Sequence, residues 1–364
     1  MFANIYKGRR VLITGHTGFK GSWLALWLRS LGAQVSGYSL YVPSQPSMFE
    51  ASGLGSLCDS VEGDIRSYDE LRRVHDRVRP EIIFHLAARA IVRDCYDAPR
   101  EAFNTNLGGT VNILELCRQS SSVKSAVLIT SDKCYDNVEW EYGYRETDRL
   151  GGKDPYSASK ACAELAFRSY FHSWFGHSDS PGICTVRAGN VIGGGDWAPH
   201  RIIPDCIRAW SRGKKALIRS PQATRPWQHV LEPLSGYLWL GARLWQDKGR
   251  FTGESFNFGP PSMVNAPVSE VLSTLRKHWP EAAWETQDSG KTSEKKEATL
   301  LKLCGDKAAG WLGWHAVLTF EETMEMTARW YQTYLKNPAS MYEFTQEQIQ
   351  RYQSLAGERT APWI

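Results

Sequence analysis

Arg10-Val11-Leu12-Ile13-Thr14 runs directly into Gly15-His16-Thr17-Gly18-Phe19-Lys20-Gly21. The first five residues read as a buried strand. Trp23, Leu24, Trp27, Leu28 and Leu31 then recur at the three-and-four spacing of a helix, and Gly32 stops it. Glycines at 15, 18 and 21 permit a tight turn and close approach of the backbone to a pyrophosphate. The helix N-terminus offers free N–H groups to the same anion. A glycine pattern alone is weak evidence, because a plain strand–helix turn uses the same residues. Its placement between a strand and a helix favours a dinucleotide site.

Working outward, apolar runs alternate with amphipathic stretches. Strands are expected at 34–40, 81–88, 125–131 and 183–191. Ser67-x-x-Glu70 reads as a capping box opening a helix with Leu71, Val74 and Val78 inward. Helices are expected over 100–118 and from Asp154-Pro155 to about Phe171, where proline suits the first turn. This alternation predicts an α/β fold, a Rossmann-type doubly wound parallel sheet. Beyond Gly193-Gly194-Gly195 the texture changes, and Pro199, Pro204, Pro221, Pro226 and Pro233 punctuate short elements. The expected division is a cofactor-binding domain over 1–191 with the chain returning at about 228–260. A smaller mixed α/β substrate-binding domain takes 192–227 and 261–364. Residues 285–299 read as an exposed polar loop, and the last long helix as about 320–335.

Composition sets the outer limits. The 364 residues carry 43 Lys plus Arg against 39 Asp plus Glu, a formal charge of +4. That excess gives no reason to expect nucleic acid or a membrane surface as partner. No run approaches the ~18 apolar residues of a membrane span. No signal peptide is legible after Lys7-Gly8-Arg9-Arg10, so a cytoplasmic protein is expected. The eight cysteines are scattered without metal spacing. They read as reduced thiols, and no metal site is expected.

The second strand ends at Ser39, where an acidic residue would bind the adenosine ribose and favour NAD. No arginine follows to take a 2′-phosphate, and Lys20 is the only nearby cation. Asp64-Ile65 follows the third strand, where a carboxylate can reach an adenine amino group or serve as a turn residue. Asn106 interrupts a helical run beside Gly108-Gly109, which implies a local distortion with a polar task. His85 reads as a hydrogen-bonded structural histidine.

Tyr156-x-x-x-Lys160 places a phenol and an ammonium on one helix face. A phenol is a poor base at neutral pH, and a nearby cation favours its phenolate. With Ser131-Asp132-Lys133 at a strand end, these residues form a catalytic constellation. Gly15-x-x-Gly18-x-x-Gly21, His85-Leu86-Ala87-Ala88, Asn106, Tyr156-x-x-x-Lys160 and Arg187-x-x-Asn190-Val191 resemble the extended short-chain dehydrogenase/reductases. The likeness extends to Leu312-Gly313-Trp314. Within that family, the stretches from Ser131 to Glu146, Arg187 to Trp197 and Arg225 to Val230 resemble the 4,6-dehydratases that act on CDP-glucose.

The resemblance implies NAD as cofactor. Gly15, Thr17, Gly18, Phe19, Lys20, Gly21, Ser39, Asp64, Ile65, Leu86, Ala87, Ala88, Asn106, Tyr156 and Lys160 would hold it. It implies a hydro-lyase in deoxysugar or lipopolysaccharide synthesis, and a homodimer or homotetramer through the helices near 100–118 and 155–171. Tyr156, supported by Ser131 and Lys160, would take the C4 hydroxyl proton. Asp132 would protonate the departing C6 hydroxyl. Most relatives carry Glu where Lys133 stands. An ammonium cannot accept a proton, so Lys133 serves as the C5 base only in its neutral form. Alternatively it stays charged, pairs with Asp132 and stabilises the enolate. Another nucleotide-sugar dehydratase, a 4-epimerase or a non-catalytic scaffold are the other readings.

A nucleotide diphosphate calls for cations, and arginine binds phosphate bidentately. Arg187, Arg201, Arg219 and Arg225 are the candidates, with Arg225 matching the family's diphosphate-binding position. Asn190 and Tyr144 complete the expected substrate set.

Overall fold

The computed structural model describes residues 1–364 apart from 178, 262–263 and 287–299. Seven strands form one sheet: β1 (Arg10–Thr14), β2 (Gln34–Ser39), β3 (Asp59–Glu62), β4 (Ile82–His85), β5 (Ser125–Ile129), β6 (Gly182–Arg187) and β7 (Ser255–Asn257). Their spatial order is β7-β6-β5-β4-β1-β2-β3, and every neighbouring pair is parallel. Such a sheet is covered on both faces. Val11 and Ile13 enter one apolar core and Leu12 the other. The expected doubly wound α/β fold is therefore present. The order reverses between β1 and β4, which opens a crevice at their carboxyl ends.

Helix α1 (Phe19–Ser30) buries Trp23, Leu24, Trp27 and Leu28. Helix α2 (Tyr68–Val78) starts at Ser67, but Ser67 makes no side-chain cap bond. The capping box expected there is absent. One forms instead at Thr319–Glu322, ahead of the helix Phe320–Lys336. The stretch 100–118 is not one continuous α-helix. Pro99–Phe103 is α-helical, Asn104–Gly108 is a π turn, and helix α3 (Gly109–Gln119) follows. The distortion lies where Asn106 signalled it. Helix α4 (Pro155–Tyr170) is capped by Asp154, whose side chain accepts from Ser157 N.

The expected strand 183–191 divides in two. It breaks after Arg187, Asn190 adopts φ 52°, and Val191–Ile192 pairs in parallel with Gln228–His229. Residues 192–227 build short strands, two of which pair with Ala266–Pro267 and Trp284–Thr286. Helix α5 (Leu231–Gln246) and β7 return to the main sheet. Trp284–Thr286 is a strand, so residues 285–286 of the expected polar loop are not loop; the rest of that loop lies outside the described residues.

A final helix, α6 (Met341–Glu358), was not anticipated. It packs on the first unit. Tyr352 meets Trp27 edge-on at 5.7 Å, and Trp363 stacks on Phe2 at 5.0 Å. The chain beyond 341 thus differs from the expected grouping of all 261–364 in a second domain. Aromatic burial draws it back to α1.

Candidate active site

The glycine loop sits at the sheet's reversal. Gly15 has φ +79°, and a Cβ there would lie 2.7 Å from Ala87 N. A Cβ on Gly21 would come within 2.1 Å of the Gly15 carbonyl oxygen. Only glycine allows these approaches. Gly18 stands at the N-cap of α1 and offers no side-chain cap, so first-turn N–H groups remain for an anion. The cradle fits a dinucleotide pyrophosphate.

Around it, Thr14 Oγ1 accepts from Ala87 N at 3.3 Å, which ties β1 to Leu86-Ala87-Ala88. His85 lies between Thr14 Oγ1 at 2.7 Å and Thr110 Oγ1 at 3.2 Å. Burial pushes it down to about 3, so it is a neutral structural histidine. Ser39 Oγ accepts from Thr17 N at 3.3 Å and lies 2.8 Å from His16 Nδ1. Thr17 Oγ1 donates to Tyr41 O. Asp64 receives the backbone N–H of Arg66 at 2.9 Å and its guanidinium, and the Arg66 bonds hold the carboxyl below its usual range. Ile65 packs under Gly109.

Asn106 is buried and faces two elements at once. Its Oδ1 accepts from Arg89 N at 2.8 Å, and its Nδ2 donates to Ser159 Oγ at 2.9 Å.

The catalytic candidates converge. Ser131 Oγ donates to Asp132 Oδ1 at 2.9 Å. Burial raises the Tyr156 phenol to about 12, against a lowering hydrogen bond from Ser131. Burial also lowers the Lys160 ammonium to about 8, although Glu164 opposes it. Lys160 Nζ donates to Ile129 O at 3.2 Å. Lys20 joins this cluster: burial lowers it to about 8, Arg201 and Lys160 add to the effect, and Asp132 opposes it. Lys133 is half-buried and forms no ion pair with Asp132 among the described residues.

The arginines part company. Arg201 pairs with Asp196 at 2.8 Å, and its charge reaches Tyr156, so it borders the site. Arg225 lies in the short strand Thr224–Arg225 and donates to Thr224 O. Arg219 is exposed just past the strand Ala216–Ile218. Arg187 is a correction. Its side chain is 2% exposed, and its donors bind Glu164 at 2.7 and 3.0 Å, Tyr135 OH at 2.7 Å and Glu146 O at 3.2 Å. Four of its five N–H groups are thus engaged inside the fold, and its burial closes it off from a phosphate. Tyr144 is a second correction. It is buried, stacks on Tyr135 at 5.0 Å and bonds Asn137 Oδ1 and Val138 N through its hydroxyl. It is a packing residue. Asn190 stays beside the site, next to Gly189, which abuts Asp132.

Sequence reasoning missed Glu164, Tyr237 and Gln228. Glu164 continues the i, i+4 series of Tyr156 and Lys160, a signal that was there to read. Tyr237 carries a buried hydroxyl without a hydrogen-bond partner among the described residues, and its phenol feels Asp132 and Tyr156. Nothing in its spacing distinguishes it from a core aromatic.

A glycine cradle at the switch point and a Ser-Asp-Tyr-Lys cluster beside it define a dinucleotide-dependent enzyme of the reductase–dehydratase type. The chain belongs to the GDP-mannose 4,6 dehydratase family, which matches residues 12–327. It is 44% identical over 338 residues to the CDP-glucose 4,6-dehydratase of Salmonella typhimurium, covering 92% of this chain and 93% of that one. Among solved structures it resembles the epimerase Mth375 of Methanothermobacter thermautotrophicus, with TM-score 0.78, 24% identity, and 93% and 96% of the two chains covered. It also resembles a dTDP-glucose 4,6-dehydratase from Bacillus anthracis solved with NAD, with TM-score 0.72, 22% identity, and 90% and 96% covered. Those two likenesses concern the fold. Among the described residues no helix is long and apolar enough to cross a membrane, and no three His, Cys, Asp or Glu side chains group as metal ligands.

Proposed function

We propose that the chain is an NAD-dependent hydro-lyase converting CDP-D-glucose to CDP-4-keto-6-deoxy-D-glucose. The observation that carries this is the joining of Asp132, an acid a simple 4-epimerase does not need, to the Ser131–Tyr156–Lys160 cluster. The 44% identity to the Salmonella enzyme over nearly the whole chain supports CDP-glucose as substrate.

Bound NAD supplies a reversible two-electron acceptor, and the glycine cradle with Leu86-Ala87-Ala88 is where it would lie. Tyr156 takes the C4 hydroxyl proton as that carbon is oxidised; Lys160 and Ser131 favour its phenolate. The resulting ketone acidifies the C5 proton, which Lys133 removes. Asp132 protonates the hydroxyl leaving C6. The hydride taken from C4 is then returned to C6. Arg201, Arg219, Arg225 and Asn190 would hold the substrate's diphosphate and sugar.

The same reading assigns residues 1–191 with 228–260 to cofactor binding and residues 192–227 with 261–364 to substrate binding. It makes the protein a cytoplasmic homodimer or homotetramer in deoxysugar synthesis, with no nucleic-acid or membrane partner.

The test is CDP-glucose carrying deuterium at C4. Deuterium should appear in the new methyl group, read by NMR or mass spectrometry. A product without it removes the proposal. Parallel turnover with CDP-, dTDP-, UDP- and GDP-glucose tests the base. A 4-epimerase is the alternative, and an Asp132→Asn variant with full turnover would favour it.

A further inference from the structure

Gln228 is a buried amide with a forced orientation. Its Nε2 donates to the carbonyls of Gly189 at 3.0 Å and Phe258 at 3.1 Å. Two carbonyl oxygens cannot face an amide oxygen, so Oε1 is fixed at the other end. That oxygen is buried and has no partner among the described residues. An unpaired acceptor away from water is costly, and the residue that carries it shares a cleft with Asp132.

Gln228 lines one small cleft with Asp132, Gly189, Pro226 and Leu303. Its volume is about 10 Å³. That admits about one water and falls far short of a hexose. Asp132 cannot swing away freely. Its Oδ1 is bonded to Ser131, and its Oδ2 packs so closely on Gly189 that a Cβ there would lie 1.8 Å from it.

We propose that this cleft receives the water expelled from C6, with Gln228 Oε1 as the acceptor that holds it. The inference rests on the dehydratase reading above. As the C6–O6 bond breaks, its electron pair leaves with O6, and the Asp132 carboxyl gives O6 its proton. The pair left at C5 by deprotonation forms the C5–C6 double bond. O6 departs with its own hydrogen and the one from Asp132, as water. One O–H then donates to Gln228 Oε1 and the other to the Asp132 carboxylate. Gln228 gains this partner as the leaving group forms, so the bond favours the elimination step over the bound substrate.

The test compares two leaving groups. Gln228→Leu keeps the side chain's bulk and removes the acceptor. Turnover of CDP-glucose should fall about five- to tenfold, the worth of one neutral hydrogen bond. CDP-6-deoxy-6-fluoroglucose loses fluoride, which has no O–H to donate to Gln228. Its rate should be the same in the variant and the parent enzyme. Equal slowing of both substrates, or no slowing of either, overturns the proposal. Should the leucine variant fail to fold, Gln228→Asn, which keeps the amide and shortens it, should show the same selective loss. Parent enzyme that makes no 4-keto-6-deoxy product from CDP-glucose fails the dehydratase reading itself, so the two failures are told apart.

Discussion

Asn106 Nδ2 lies 2.9 Å from Ser159 Oγ, and Ser159 Oγ donates in turn to the carbonyl of Tyr156 at 2.7 Å. The π turn Asn104–Gly108 is thereby tied to the helix that bears Tyr156 and Lys160. Asn106 also holds both backbone groups of Arg89: its Oδ1 accepts from Arg89 N at 2.8 Å, and its Nδ2 donates to Arg89 O at 3.3 Å. One amide thus sets the spacing between the loop after β4 and the catalytic helix. π turns often occur at functional sites because the extra residue redirects a side chain.

Asn106→Ala should therefore cost both stability and catalysis. It takes away the partner of both backbone groups of Arg89 and the donor that Ser159 Oγ accepts from, which predicts a loss of about 1–3 kcal/mol. A urea midpoint measures that. The kcat should fall more than KM rises, because the displaced group is Tyr156 rather than a substrate-binding residue. An unchanged kcat in a folded variant would separate the π turn from catalysis.

Glu164 and Arg187 form an ion pair, each side chain 2% exposed, one turn beyond Lys160. Burial disfavours the Arg187 charge, but Glu164 outweighs it and raises the guanidinium well above its usual value. Burial likewise disfavours the Glu164 carboxylate, and Arg187 with Thr130 and Thr185 brings it below the usual range. Removing one partner strands the other. Glu164→Gln should cost about 3–5 kcal/mol, whereas joint replacement of both by methionine should cost less than the two single changes together. A double-mutant cycle in urea checks this.

The sheet was legible because each buried strand is a short apolar run and each helix a three-and-four stripe. The glycine loop was legible because its spacing is a steric demand of its own. Arg187 was misread for an equally physical reason. Its motif position says that the residue matters, but only folding reveals that Glu164 on α4 consumes it. Tyr144 was misread because exposure of an aromatic cannot be judged before Tyr135 and Leu303 are seen against it. Helix α6 was missed because polar residues interrupt its apolar stripe, and the aromatic stack of Trp363 on Phe2 is formed by the two ends of the chain. Ser67-x-x-Glu70 shows the reverse case, a local signal that the fold leaves unused.

Lys133 stands half-buried without an ion pair to Asp132, which favours a proton-transfer role over simple charge pairing. Lys133→Met should abolish exchange of the C5 hydrogen with deuterated solvent. Oxidation at C4 should persist, seen as bound reduced nicotinamide that does not decay. Continued exchange at C5 would remove Lys133 as the base.

Glu232 predicts a pH dependence of folding rather than of catalysis. It lies within α5, fully enclosed, and accepts from Val317 N at 2.9 Å and from Tyr352 OH at 2.8 Å. Burial raises its carboxyl from 4.5 to about 7, against those lowering hydrogen bonds. The folded state therefore binds the proton more tightly than the unfolded chain. The stabilisation is fully present below about 4.5 and is lost as pH rises through about 7. The shift corresponds to a loss on the order of 3 kcal/mol across that window. Because Tyr352 belongs to α6, the loss should fall first on the docking of that helix. Glu232→Gln should flatten the pH dependence between 5 and 7, measured as the urea midpoint at ~0.5-unit steps. An unaltered slope in the variant would place the titration elsewhere.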